Sequence, residues 1–440
     1  MSLGQPSIVK FRNAAVAGRG APGQPLFPGG RPQDAGDIAS QEEDVRNRII
    51  SVEILETDIG ADECTLRLEN SDLSLFGNPL LFPQSIFEIV LGYETRRGTP
   101  QVFRIVEIKG FRDLTVRALG REYELDRVQR KETYNNVTIA QVASLVAQRH
   151  NLFPVVQQTF GVHQQIVQSG ESDAEFLQRL AESIGFVWFI QQDSSPIGRV
   201  EKLFFLERAF EEGGFPVEVV EIGKDPRVLG DPDFEVDIAN VFGVAQGALY
   251  NPIQKLYEDL TATVEDTRRR VLGSSTPITE DSKLSIPSTI TDRLAAQEEI
   301  DGFYKEFERQ MLRCTFRMQG DPLFRPKRLL VMEGVGPLFR GPYYIDSIRY
   351  RLAPGESFTM ELSLRKNAFS FTATDIAIRF KELDEVRKDF QARVQAARDA
   401  RLAEDQRAKL SSIQPSPGPT TGGSVVNIAG TAFYAKGAGK

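Results

Sequence analysis

The chain is poor in the residues that most often carry chemistry. Of its 440 residues, two are cysteine and two are histidine. Cys64 and Cys314 are far apart, and neither has a neighbour at metal-ligand spacing. They read as two buried free thiols, consistent with assembly in a reducing cytoplasm. A zinc site needs three or four convergent ligands, and no His/Cys/Glu cluster surrounds His150 or His163. There is no Gly-x-Ser-x-Gly, no P-loop, and no Gly-x-Gly-x-x-Gly after a strand. No metal or other cofactor is expected. No run of about 18 apolar residues offers a membrane span. Met1 to Pro6 lacks the basic and apolar parts of a signal peptide. Positive charge is also short: 53 Lys and Arg stand against 61 Asp and Glu, for a net charge of −8. Gripping phosphates needs clustered cations, so specific nucleic-acid binding is not expected.

Carboxylates do occur in groups, with plain structural readings. Asp231, Asp233, Glu235 and Asp237 alternate, but the run lacks the glycine and final glutamate of a calcium loop and reads as a solvated turn. Asp173 and Glu175 fall in the first turn of a helix, where the dipole favours negative charge.

What the chain does have is apolar content. At 41% hydrophobic and 26% charged it is globular, and its length allows two or three cores. The most informative stretch is Gln165 to Ile190. Ser172 and Glu175 make a capping box. Phe176, Leu177, Leu180, Ala181 and Ile184 fall on one helical face. Gly185 supplies a left-handed stop. Phe186 to Ile190 is then a buried strand, with Trp188 in the core. A second capping box, Thr138 with Gln141, opens a helix with Ile139, Val142, Leu145 and Val146 on its buried side.

Short strands with alternating faces flank this centre. They are read at Ile49–Glu56, Cys64–Glu69, Ile86–Tyr93, Val102–Lys109 and Leu114–Leu119, and later at Arg313–Met318, Arg328–Met332, Tyr343–Leu352 and Ser357–Leu364. A helix is read at Ser288–Met311. The two sets suggest an internal repeat. Phe103–Lys109 matches Tyr343–Arg349 in pattern, and Leu114-Thr115-Val116-Arg117 is set against Phe358-Thr359-Met360-Glu361. Phe339, Tyr343 and Tyr344, beside Pro337 and Pro342, read either as core or as subunit contacts.

The motif Glu171-Ser172-Asp173, Phe176-Leu177, Arg179-Leu180-Ala181-Glu182, Gly185-Phe186, with Leu145 to His150 upstream, resembles the late control gene D, or baseplate hub, family of contractile phages. That family includes the hub portion of type VI and extracellular contractile-injection spike proteins. The resemblance implies a β-rich α+β fold: two tail-tube-like antiparallel β-barrel domains, an α+β middle domain and a helical C-terminal extension. The expected divisions are an N-terminal strand and Gly/Pro-rich loop (1–48), a first tube-like domain (49–130), the α+β domain (131–230), a second tube-like domain with an inserted helix (231–370), a charged helix (371–410) and a linker with a terminal peptide (411–440). Asn13 to Asp44 reads as a long loop. Val425, Val426, Ile428 and Phe433 give the terminal peptide β propensity, fit for docking on a partner.

The function implied is structural. A homotrimer with two barrels per chain would present six barrels, joining a hexameric tail tube to a trimeric spike. Expected partners are the spike protein, a tail tube or tube-initiator protein, other baseplate subunits and the tape-measure protein. The location implied is a virion tail baseplate or an injection particle, assembled in the host cytoplasm. The alternatives are a tail-tip cell-wall hydrolase and the hub of a long non-contractile tail. No catalytic pair follows Leu364, which disfavours the hydrolase.

Overall fold

Alternating apolar and polar residues can bury one face of a strand, and long-range pairing then decides which strands meet. In the computed structural model the described residues are 7–13, 35–93, 96–195, 198–208, 216–237, 244–251, 256–263, 283–286, 292–353 and 355–369. All lie in the first of two compact units, 1–373 and 374–440. The helix expected at 371–410 and the terminal peptide at 411–440 therefore lie outside the described residues.

In chain order the elements are β1 (Ser7–Asn13), α1 (Ala35–Asn47), β2 (Ile49–Thr57), β3 (Glu63–Glu69), β4 (Ile86–Gly92), β5 (Gln101–Gly110) and β6 (Asp113–Leu119). There follow β7 (Gln129–Val137), α2 (Ile139–Arg149), β8 (Phe153–Val156), β9 (His163–Ser172), α3 (Asp173–Ser183), β10 (Phe186–Ser195) and β11 (Gly198–Glu207). The rest are β12 (Pro216–Glu221), β13 (Asp233–Val236), β14 (Val244–Asn251), β15 (Leu256–Thr263), β16 (Lys283–Ile286), α4 (Arg293–Glu308), β17 (Leu312–Gln319), β18 (Leu329–Glu333), β19 (Gly341–Leu352) and β20 (Thr359–Lys366).

One 12-stranded sheet carries the fold, ordered β1-β4-β5-β6-β3-β2-β19-β20-β17-β13, with β18 beside β19 and β12 beside β18. The two β regions read from the sequence thus meet at β2·β19 and share one apolar core, from Val52 and Ile54 through Cys64 and Ile105 to Cys314, Ile345 and Leu364. Strand β12, placed by the sequence in the middle domain, belongs to this sheet. The acidic run at Asp231–Asp237 is not merely a solvated turn, because Asp233–Val236 forms β13 against β17. Ala35–Asn47, expected within a loop, is helical and buries Val45 in the main core. Its sparse apolar content hides that anchor from a periodicity reading.

The suspected repeat is present strand by strand. In the first copy Ile54 of β2 faces Cys64, Cys64 faces Ala118, and Phe87 faces Phe103. In the second, Phe234 of β13 faces Cys314, Cys314 faces Leu364, and Leu330 faces Tyr343. Both copies carry a bulge at the same place. Pairing jumps from Ile105·Ala118 to Glu107·Arg117, and from Ile345·Leu364 to Ser347·Ser363. Each copy also holds a left-handed non-glycine residue before the hairpin, Gln84 at φ 73 and Lys327 at φ 67. Their amides donate to the carbonyls of Ile105 and Ile345 at 2.8 and 3.0 Å. The two free cysteines thus occupy equivalent buried sites. The second half of the sequence alignment needs correcting. Leu114 faces Gly110 and Met360 faces Tyr350, so Leu114 corresponds to Met360 rather than Phe358. A shift of two residues keeps the same face, which is why pattern alone could not detect it.

Three smaller assemblies complete the unit. Sheet β10-β11-β8 packs with α2 and α3, beside the ribbon β7·β9, and Ile139, Val142 and Val146 of α2 are buried there, whereas Leu145, expected on the same face, is 45% exposed. Sheet β15-β14-β16 shares a small core with α4 through Ala245, Leu249, Leu260, Ile300 and Tyr304.

Candidate functional site

The motif residues build a buried clip. The Ser172 side chain accepts from the Glu175 amide at 3.1 Å, and the Glu175 carboxylate accepts from the Ser172 amide at 2.8 Å. This double cap stabilises the start of α3 by about 1 kcal/mol. Ser172 Oγ also donates to Asp126 at 2.7 Å, tying the helix to the segment leaving the first repeat. Phe176, Leu177, Leu180 and Ala181 are buried, and Phe186 follows them into the same core. Arg179 lies 5.3 Å over the Phe176 ring and pairs with Glu171 at 2.5 Å. Glu182 is on the open face and accepts from Gln178 at 2.6 Å.

Asp173 does more than favour the helix dipole. Its side chain is 1% exposed. It accepts from Arg149 at 2.8 Å, Arg130 at 3.2 Å and Gln168 at 2.9 Å, and meets His150 Nε2 at 2.7 Å. Burial by itself would raise its pKa. The bonds from His150 and Gln168 and the Arg149 charge outweigh that and hold it at about 2. His150 is therefore no chance occupant of a helix end. The sequence signal was its adjacency to Arg149 at the close of α2, which sets both side chains toward one carboxylate.

Gly185 sits at φ 70, in the left-handed region that its place after α3 requires. Close to it, a Cβ on Gly302 would fall 2.4 Å from Ile184 Cα, so α4 crosses the end of α3 at backbone distance. Gly302 gave no sequence signal. Trp188 is 4% exposed and donates to Gln178 Oε1 at 3.1 Å.

At the junction of the repeats, Glu53 of β2 accepts from Arg349 at 2.7 Å and Arg351 at 3.0 Å across the β2·β19 seam. Behind it Asp58 is buried between Arg208, at 3.1 Å, and Arg309, at 3.2 Å. Arg208 also holds Glu306 at 2.9 Å, so α4 and the end of β11 are anchored on the seam. Of the residues read either as core or as subunit contacts, Tyr343 and Tyr344 are core, both 0% exposed, while Phe339 is partly buried and stacks on Phe234 at 4.4 Å. Among the described residues no group of three His, Cys, Asp or Glu is placed to hold a metal ion, and no helix is long and apolar enough to cross a membrane.

The segment that contains the clip is also the one that known proteins recognise. Residues 108–212 match the phage tail baseplate hub (GPD) family. This hub segment runs from the end of β5 through the whole α2/α3 layer and includes every motif residue. No curated protein matches the chain. Among solved structures, a tail protein from Neisseria meningitidis MC58 aligns with a TM-score of 0.52 at 13% identity, covering 84% of this chain and 100% of that one. At that identity the likeness is one of fold. The prophage MuSo2 43 kDa tail protein from Shewanella oneidensis aligns at 0.49 and 14% identity, covering 72% of this chain and 94% of its own. The E. coli c3393 protein, described as a component of the type VI secretion system, aligns at 0.46 and 14%, covering 72% and 73%. Residues 108–212 are thus similar to baseplate hub proteins, and the chain shares its fold with the Neisseria tail protein.

Proposed function

We propose that the chain is the structural hub of a baseplate, acting as a homotrimer that joins a hexameric tail tube to a trimeric central spike. The duplication supports this reading most. One chain carries two copies of the same strand set, with equivalent bulges and equivalent cysteines. Three such chains would offer six similar surfaces to a sixfold tube while keeping threefold symmetry for the spike. The hub segment at 108–212 supports the same role.

The role is geometric rather than catalytic. The chain would sit in a virion tail baseplate or contractile injection particle after assembly in the host cytoplasm. Its partners would be the spike, the tail tube or its initiator, other baseplate subunits and the tape-measure protein. The near-uncharged run containing Val425, Val426, Ile428 and Phe433 would add a strand to one of these partners.

Light scattering or mass photometry of the full chain, alone and with the spike, tests the proposal. A trimer is expected. A stable hexamer of this chain alone would give twelve repeats to a ring that should hold six, and would sink it.

A further inference from the structure

Three parts of the chain meet at the corner where β2 turns into β3, and two buried carboxyls stand there. Glu56, on β2, is 3% exposed, and Glu122, in the turn after β6, is 7% exposed. Glu56 faces the second repeat. Its carboxylate accepts from Arg325 at 2.7 Å, with Gln101 of β5 on its other oxygen. Glu122 faces the α2/α3 layer and accepts from the Ile190 amide of β10 at 3.0 Å. Asp62, in the β2–β3 turn, acts on both. Its side chain accepts from the Thr57 amide at 3.0 Å, and its carbonyl accepts from the Gly120 amide at 2.7 Å. Lys327 of the second repeat closes the corner. It donates to the Thr57 carbonyl at 2.8 Å and lies 4.6 Å over the Phe189 ring of β10.

The corner gives these two carboxyls little with which to stay ionised. Burial raises both, and the Asp62 charge raises both further. Arg325, for Glu56, and Lys327, for both, offset this only in part, so each carboxyl is pushed up to about 7. The other charges nearby are engaged elsewhere. Arg121, beside Glu122, pairs with Glu124 and with Glu201 of β11, and Arg104 of β5 also pairs with Glu124. Arg328 is exposed, and the Tyr350 hydroxyl donates to the Phe324 carbonyl. A cavity of about 20 Å³ lies against Glu56, lined also by Thr99, Arg325 and Tyr350, with room for one water molecule. A carboxylate in this corner is hydrated fully only when the parts move away from one another.

We infer that this corner is a proton-operated joint: with Glu56 and Glu122 protonated, the second repeat and the α2/α3 layer stay docked on the first repeat, and loss of those protons opens the corner. With both ionised, three carboxylates share two cations out of water, and opening hydrates them. A carboxyl that titrates near 7 when docked and near 4.5 when open holds its proton more tightly in the docked state. Opening is therefore least below pH 4.5, grows about tenfold per pH unit for each carboxyl as pH rises, and levels off above 7. The joint belongs to a single chain and works whatever the number of copies.

Hydrogen exchange of the full chain from about pH 5 to about pH 8 tests the joint, with rates corrected for the intrinsic pH dependence of exchange. The reporters are the Ile190 amide, held by Glu122, and the Thr57 amide, held by Asp62. Their protection should fall at least about tenfold per pH unit between about pH 5 and 7 and then hold steady, while amides inside α3, such as that of Leu180, keep theirs. Glutamine keeps an acceptor at each position but cannot ionise. Glu56→Gln with Glu122→Gln should abolish the slope. Asp62→Asn, which removes the like charge acting on both, should move the midpoint to lower pH. Wild-type protection that is flat over this range overturns the joint, and that outcome needs no variant to fold. A slope that persists in the double variant, or a midpoint unmoved by Asp62→Asn, assigns the titration to other groups and overturns it too. So does a slope shared equally by α3, because unfolding of the whole chain then carries the protons.

Discussion

Asp173 shows how one side chain holds several elements. It is the acceptor on which β7, α2 and β9 converge through Arg130, Arg149, His150 and Gln168. Removing the charge leaves two arginines facing a neutral amide in a buried site. Asp173→Asn is expected to cost about 3–5 kcal/mol in unfolding free energy at neutral pH. The pH dependence has a definite sign. A carboxyl held at about 2 in the folded chain and near 3.8 unfolded stabilises the fold fully above pH 4, and that gain is lost as pH falls toward 2. The gap between wild type and variant in thermal or denaturant unfolding should therefore narrow over that window. A constant gap would mean that Asp173 acts by shape alone. Lys366 gives the opposite case. Its amine is buried, donates to the Arg340 carbonyl at 2.6 Å, and is pushed down to about 7 by burial. The folded chain sheds that proton before the unfolded one does. Relative to Lys366→Met, the wild type should gain stability as pH rises from 7 toward 10, as read by chemical unfolding at a series of pH values.

At the scale of elements, the middle layer depends on two helices meeting without side chains between them. Gly302 of α4 lies against Ile184 and Ser183 at the end of α3, each 2.4 Å from where a Cβ would stand. Gly302→Ala should force the helices apart and cost about 1–3 kcal/mol, an overpacking penalty measurable as a lower denaturant midpoint. An unchanged midpoint would show that α4 can shift freely on α3. Trp188, on the strand after the same turn, should cost about 3–5 kcal/mol on replacement by alanine. These elements were partly legible in advance. Both capping boxes and the Gly185 stop are local codes, written within four residues, and the helices begin where those codes place them. Helix α4 starts later than its apolar spacing suggested, because Asp292, in extended conformation, caps it by accepting from the Ala295 amide. Strand β7 escaped notice because its residues are almost all polar and none is buried.

For the whole molecule, the C-terminal peptide offers a test that is independent of the ring. On the proposed hub reading, removing residues 411–440 should leave the chain able to self-associate but unable to yield spike-bearing particles at normal yield, as counted by electron microscopy. Complete particles from the truncated chain would make the peptide dispensable and end the docking proposal.

The sequence determined by itself what neighbouring residues can encode: the caps and stop around α3, the inward faces of the paired strands, and the likeness between Phe103–Lys109 and Tyr343–Arg349. These follow from side-chain periodicity and backbone preference, which act over a few residues. Only the tertiary structure decided which strands meet. Glu53 and Arg351 are 298 positions apart, and no local preference specifies that they lie side by side. The same holds for the bulges at Val106 and Asp346, which register only when each strand is laid against its partner, and for Asp173, whose acidity depends on groups brought from three other elements. Pairing buries apolar faces that each segment could expose in many registers, and only the shared core selects among them.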